Sequence, residues 1–223
     1  MLSPYGRREW MTIIAICAML AVTLLTIGWW WVALVVLVLM GAILSFFRDP
    51  ERKIPTERNV MVSPADGRVT SIHEVERFEP FDGPALCIRI FLSVLNVHVN
   101  RSPCYAVVAA MDHGDGAHLS ALNPRSPEEN EWHLIVLRHP SHGGAVAAVR
   151  QVAGQIARTI VCGVRLEQVV QRGERIGMIL LGSTTELYVP LTSAPRVRVS
   201  QGQQVRGGAT VLLFPRAPMP KMP

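Results

Sequence analysis

Between Met11 and Phe47 the chain carries no charged residue, while beyond Phe47 the apolar positions fall into short β-branched runs separated by Gly, Pro and Asp. One straight helix over the first stretch would be about 55 Å long, well beyond a hydrocarbon core of roughly 30 Å. Two shorter helices fit better, and the Gly28-Trp29-Trp30-Trp31 cluster divides the run near its middle. Tryptophans favour a membrane–water interface, and Arg7 and Arg8 before the run, with Arg48, Arg52 and Lys53 after it, place both outer ends on one basic side. The pattern predicts a membrane helical hairpin over residues 1–47, spanning or lying shallow, and a domain over 48–223 on the cytoplasmic side of the cell membrane. A cleaved signal peptide has a shorter apolar core and a small-residue cleavage site, which this run does not match.

The second region reads as strands. Candidates are Arg68–Val75, Ala85–Leu92, Tyr105–Met111, Trp132–Arg138, Gly144–Val149, Arg175–Leu180, Glu186–Val189, Arg196–Val199 and Thr210–Phe214. The stretch Gln151–Cys162 fits strand or helix. Val170–Ile176 and Val205–Val211 echo one another, each a Gly turn leading into an apolar strand. Such hairpins occur in small swapped-hairpin barrels, so the expected fold class is mainly β (α+β), a compact β-barrel-like domain behind the helical hairpin. Neither turn holds a lysine, so a lipoyl-type carrier lacks its attachment point.

Composition narrows the partners. Hydrophobic residues reach 49% with charged residues at 17%, a balance that suits a lipid-embedded part rather than disorder. The net charge of +5 comes from scattered Lys and Arg without an aromatic-basic stripe, which favours anionic membrane lipids over nucleic acid. Cys17, Cys87, Cys104 and Cys162 are far apart, with no zinc-ligand spacing, and read as buried thiols of a reducing compartment. No metal site is expected.

Candidate chemistry sits in four places. Val62–Val69 holds a Ser-Pro-Ala-Asp-Gly turn with Asp66; its plain reading is a β-turn in which Asp66 caps the backbone. Ile90–Pro103 carries His98 with Asn96, Asn100 and Arg101 inside an otherwise apolar strand pattern, which is costly unless hydrogen bonds or function compensate. Pro127–Trp132 is polar and reads as a solvated loop. Gly182-Ser183 is an ordinary turn dipeptide, or a bond the protein itself breaks: glycine leaves the carbonyl open to approach, and a serine hydroxyl can attack if a base helps it.

The ordered set of Phe47-Arg-Asp-Pro-Glu-Arg52, the Ser-Pro-Ala-Asp-Gly turn, Asn96-Val-His-Val-Asn-Arg101, Glu128-Glu-Asn-Glu131, Gln151–Arg158, Gly173–Met178 and Gly182-Ser183 resembles the short-form (type A) pyruvoyl-dependent phosphatidylserine decarboxylase family. Each motif alone is common; their order over nearly all of the chain from Arg48 carries the resemblance. Two positions depart from it. Leu181-Gly182-Ser183-Thr184 looks like the longer relatives, and Arg101 stands where those relatives carry a second histidine.

The resemblance implies that Ser183 attacks the Gly182 carbonyl and that the chain splits into 1–182 (β chain) and 183–223 (α chain), which stay together as a heterodimer. It implies a covalent pyruvoyl cofactor formed from Ser183, which takes phosphatidylserine as a Schiff base and releases CO2 and phosphatidylethanolamine. Asp66 and His98 are the implied catalytic pair, with Asn100 and Arg101 as substrate or support residues. A membrane-anchored barrel adaptor without catalysis, or a pyruvoyl decarboxylase for another amino headgroup, are the alternatives.

Overall fold

The uncharged N-terminal run folds as two helices, α1 (Arg7–Thr26) and α2 (Trp30–Phe46), in a computed structural model that describes residues 1–117, 119, 129–141, 143–154, 159–180 and 183–216. Gly28 ends the first helix at φ +83°, a left-handed conformation that side chains resist. The helices turn back on one another through Ala21, Leu24 and Ala33, two small residues among three that allow close approach. Ser3 N–H donates to Phe47 O (2.7 Å) and Asp49 N–H to Met1 O (2.8 Å), closing the hairpin at its open end. Trp29, Trp30 and Trp31 sit exposed at the bend. Including its leading 3-10 turn, the first helix covers Pro4–Thr26 and is long and apolar enough to cross a membrane; Trp30–Phe46 is shorter.

The chain divides into two units, Met1–Pro50 and Glu51–Pro223. The second is built of β1 (Met61–Val62), β2 (Gly67–Phe78), β3 (Gly83–Leu92), β4 (Val99–Arg101), β5 (Ala106–Gly114), β6 (Trp132–Arg138), β7 (Ala145–Val152), β8 (Ile160–Cys162), β9 (Val169–Val170), β10 (Arg175–Ile179), β11 (Ser183–Pro190), β12 (Arg196–Val197), β13 (Gln204–Val205) and β14 (Val211–Phe214). An eight-stranded sheet runs β13-β2-β3-β11-β7-β6-β5-β9, and two three-stranded sheets run β1-β14-β12 and β4-β10-β8. All neighbours are antiparallel. The main core joins Ile88, Ile90, Ile135, Val149 and Leu187 of the large sheet to Met61, Ile176 and Leu213 of the small ones. The small sheets therefore close over one face of the large sheet, as the expected mainly β, barrel-like class requires.

The echo between the two Gly turns is a structural repeat. Gly173 and Gly208 both lie at positive φ, +79° and +75°, where only glycine is comfortable. Gly173 N–H donates to Ser102 O and Gly208 N–H to Ser63 O, both at 2.8 Å. Each of those serines precedes a proline, and the two Ser-Pro segments bond reciprocally: Val62 N–H to Pro103 O (2.9 Å) and Arg101 N–H to Pro64 O (2.8 Å). Ser63 Oγ donates to Ala65 O (2.6 Å) and Ser102 Oγ to Cys104 O (2.7 Å), completing a local two-fold arrangement.

Several expectations shift. Strand β11 starts at Ser183 rather than Glu186, because Thr184 and Thr185 are β-branched and both edges of the strand are paired. The ambiguous Gln151–Cys162 stretch is strand at both described ends, with Gln151 and Val152 in β7 and Ile160–Cys162 forming β8. Asn130, expected on a solvated loop, is buried: its Nδ2 donates to Ala153 O (2.7 Å) and Leu119 O (2.8 Å). Of the four free thiols, Cys87 and Cys104 are buried, whereas Cys17 and Cys162 are half-buried. Pro127, Glu128, the 155–158 segment of the Gln151–Arg158 motif, Leu181, Gly182 and the chain after Arg216 lie outside the described residues.

Candidate active site

Ser183 opens β11 directly opposite Leu92 of β3, and Thr184 pairs with Val152 of β7. Strand alternation puts Ser183, Thr185, Leu187 and Val189 on the core face, and Thr184, Glu186 and Tyr188 on the other. Ser183 is fully buried, and its Oγ has no hydrogen-bond partner among the described residues. An unmet buried hydroxyl costs about 1–3 kcal/mol, and native folds keep few of them without a purpose.

Asn100 ties the neighbouring motifs to this strand. Its Nδ2 donates to Thr185 Oγ1 (2.9 Å), two residues from Ser183, and lies 3.4 Å from Pro64 O, two residues from Asp66. Gln151 Nε2 in turn donates to Asn100 Oδ1 (2.7 Å). Gln151, Asn100 and Thr185 are all fully buried, so this polar row survives only by bonding to itself. Gln151 Oε1 is left without a partner, as is Nδ1 of His133, which stands opposite Gln151 on β6. Burial holds His133 below the usual histidine range and neighbouring His113 lowers it further, while the Asp112 charge pulls the other way.

His98 is buried two residues before Asn100, with Nδ1 2.9 Å from Asn96 O. A ring that donates from Nδ1 to a carbonyl has Nε2 as its basic nitrogen. The His98 carbonyl accepts from Ile179 N–H (3.2 Å) at the end of β10, the strand that leads towards the 182–183 bond. Asp66 immediately precedes β2, whose Arg68 pairs with Phe91, next to the Leu92 that faces Ser183. Its two carboxylate oxygens are taken by Arg52 Nη2 (2.7 Å) and Gly207 N–H (2.7 Å). The bonds of Asp66 therefore run to Arg52 and the Gly207 turn, while the imidazole of His98 rests on Asn96.

Arg101 turns to the Gly-turn repeat instead. It is buried, donates from Nη1 to Gly173 O (3.0 Å), and its Cδ would stand 3.0 Å from a Cβ at Gly208. Its local work is to bridge the two turns. Sequence reading left Gln151 in an ambiguous motif and passed over Thr185; the signal was there, since both are polar at core-facing positions of apolar strands.

On the opposite face, Glu186 is fully buried and accepts from Arg89 Nε (2.7 Å) and Tyr188 OH (2.8 Å), with Arg150 Nη1 at 3.7 Å. Burial, reinforced by the Glu186 charge, pushes the Tyr188 hydroxyl upward and raises the Cys87 thiol from 9.0 to about 12. These groups belong to the scaffold behind β11.

Residues 39–213 match the family model described as phosphatidylserine decarboxylase. A phosphatidylserine decarboxylase proenzyme of Rhodopirellula baltica is 44% identical over 186 residues, covering 82% of this chain and 77% of its own length. Proenzymes of the same description from Burkholderia pseudomallei (37% identical, 99% of this chain and 98% of the relative) and Paraburkholderia phymatum (36%, 94% and 96%) align almost end to end.

Proposed function

The chain belongs to the phosphatidylserine decarboxylase family, and we propose that it makes its own catalytic group by breaking the Gly182–Ser183 bond. One observation carries this reading: a buried serine hydroxyl with no described partner, at the first residue of a strand held on both edges. Ser183 Oγ adds to the Gly182 carbonyl and the peptide C–N bond breaks, giving an ester and a free amine. Loss of the Cα proton then expels the Gly182 carboxylate, and water replaces the amine of the resulting dehydroalanine as ammonia leaves. Residues 1–182 and 183–223 stay paired as β and α chains.

Ser183 suits a pyruvoyl group, because the site keeps a small polar atom dry and uncommitted. Such a group supplies an electron sink for the carboxylate that leaves as CO2. The protein's own residues bind and move protons around it. Nε2 of His98 is the basic nitrogen of the ring and exchanges the proton, as base for the cut and donor to the carbon that loses CO2. Asp66, anchored by Arg52 and Gly207, places a negative charge at the same end of the sheet. Asn100 holds Thr185, and through it the start of β11, against the Pro64 turn; the Arg101 N–H bonds Pro64 O in the same turn while its guanidinium reaches Gly173 O. The substrate is phosphatidylserine in the bilayer, reached because the uncharged helices and the basic residues beside them hold the 48–223 domain at the cytoplasmic surface of an anionic cell membrane. A lipid with two acyl chains rarely leaves that surface.

Intact mass and denaturing electrophoresis test the reading together. The wild type should give two chains, the smaller lacking an ordinary amino terminus, whereas Ser183→Ala should stay as one chain near 24.6 kDa and release no CO2 from phosphatidylserine. A smaller chain that begins with an unmodified serine would overturn cofactor formation. An uncut but active variant would overturn the whole proposal.

A further inference from the structure

The link from β3 to β4 is a tight turn, Ser93–Asn96, built in an unusual way. Asn96 N–H donates to Ser93 O (2.8 Å), and Asn96 Oδ1 accepts from both Ser93 N–H (2.9 Å) and Ser93 Oγ (2.8 Å). Polar groups thus lock both ends of the turn. The two central positions, where Gly, Pro, Asn or Asp are ordinary, are Val94 and Leu95. Val94 is 48% exposed and Leu95 79%, the most exposed large apolar side chain described in Glu51–Pro223. One exposed leucine needs no explanation, but two adjacent apolar residues at the tip of a braced turn present a small apolar patch to solvent.

The tip is wired to the site. The turn starts one residue after Leu92, which faces Ser183, and the same Asn96 that braces it holds His98 Nδ1 through its carbonyl (2.9 Å). We propose that the Ser93–Asn96 turn is a bilayer-entering finger: Val94 and Leu95 sink into the acyl boundary beside the active site, so a lipid headgroup reaches Ser183 while its chains remain in lipid. The occupant is a bilayer because the same chain carries an apolar helix of membrane-crossing length and because this inference rests on a two-chain lipid being the substrate. A soluble partner protein would need a broader apolar face than two side chains offer.

The full-length protein in phosphatidylcholine vesicles allows two measurements. Leu95→Asp should lower decarboxylation of long-chain phosphatidylserine in those vesicles by about tenfold or more, the scale of one lost apolar insertion with a charge added. Decarboxylation of a short-chain, water-dispersed phosphatidylserine by the same sample should hold within about twofold, since tenfold already corresponds to the loss of a whole side-chain contact. Equal losses on both substrates, with normal chain cleavage, would mean that the tip acts on the site and not on the membrane; no loss on either would end the idea as well. Binding is read separately from Leu95→Trp, whose added emission should be quenched by vesicles with brominated acyl chains. Quenching without any wild-type decarboxylation would keep the finger and reject the enzyme reading beneath it, whereas unquenched emission from an active enzyme would reject the finger alone.

Discussion

Gln151 Nε2 donates to Asn100 Oδ1 across 2.7 Å, and that bond sets which way the Asn100 amide faces. With its oxygen committed, Asn100 offers Nδ2 to Thr185 Oγ1, and the row points towards the start of β11. Removing the middle member should hurt most. Asn100→Leu strands the Gln151 amide and should lower stability by about 2–4 kcal/mol, the cost of leaving buried polar groups unmet. Gln151→Met should cost less, about 1–2 kcal/mol, because it strands Asn100 Oδ1 but also deletes an unsatisfied Oε1. Urea midpoints measured on the uncut Ser183→Ala chain would compare the two without the complication of a two-chain product.

Glu186 lies beneath the strand and away from Ser183, so its role can be separated from cleavage. Replacing it with Gln leaves Arg89 and Arg150 facing a neutral group in a half-buried setting, and the loss should be about 3 kcal/mol. Chain cleavage should still go to completion in samples that remain folded. Denaturant melting and electrophoresis on the same preparation would show whether stability and processing part in this way.

Alkaline stability should be set in part by two buried free thiols. Cys87 and Cys104 are both raised from 9.0 to about 12, chiefly because burial disfavours the thiolate. Above pH 9 the unfolded chain loses these protons while the folded chain keeps them. The folded state therefore weakens as pH rises from 9 to 12, by up to about 1.4 kcal/mol per pH unit for each thiol. Cys104→Ala should flatten that limb; an unchanged slope would place the titration elsewhere.

The geometry of Arg101 predicts a loss of stability rather than of chemistry when it is replaced. A guanidinium stays protonated and acts as a fork of donors, which suits the Gly173 carbonyl between the two Gly turns. Arg101→Lys keeps the charge and loses the fork, and should cost about 1–3 kcal/mol of stability. The pH profile of cleavage in the folded fraction should stay where it is. A shifted profile would assign Arg101 to the chemistry itself.

The residues that declared themselves in sequence were those whose local chemistry leaves few choices. Gly28 beside three tryptophans broke an uncharged run, and the structure ends α1 there; Gly173 and Gly208 marked turns that proved to be a repeat. Partnership was harder to read. That Asp66 bonds Arg52 and Gly207 depends on which segments the fold brings together, whereas the hold of Asn96 on the His98 ring is a contact between near neighbours whose geometry only the folded turn fixes. Gln151 and Asn130 were hidden for a related reason: a polar residue in a strand or loop looks solvated until its buried acceptors are known.

Strand β11 lies between β3 and β7, while β13 pairs with β2 and β14 with β1, so residues after 182 are woven through two sheets. A cut before Ser183 leaves those ladders intact but changes the order of the folding reaction. The uncut chain can refold alone at any dilution; the cut pair, once separated, must meet again by collision, and no bond joins them afterwards. On the proposed processing, assembly of the two-chain protein is a single event inherited from the uncut chain, and its lifetime is governed by how slowly the small chain escapes.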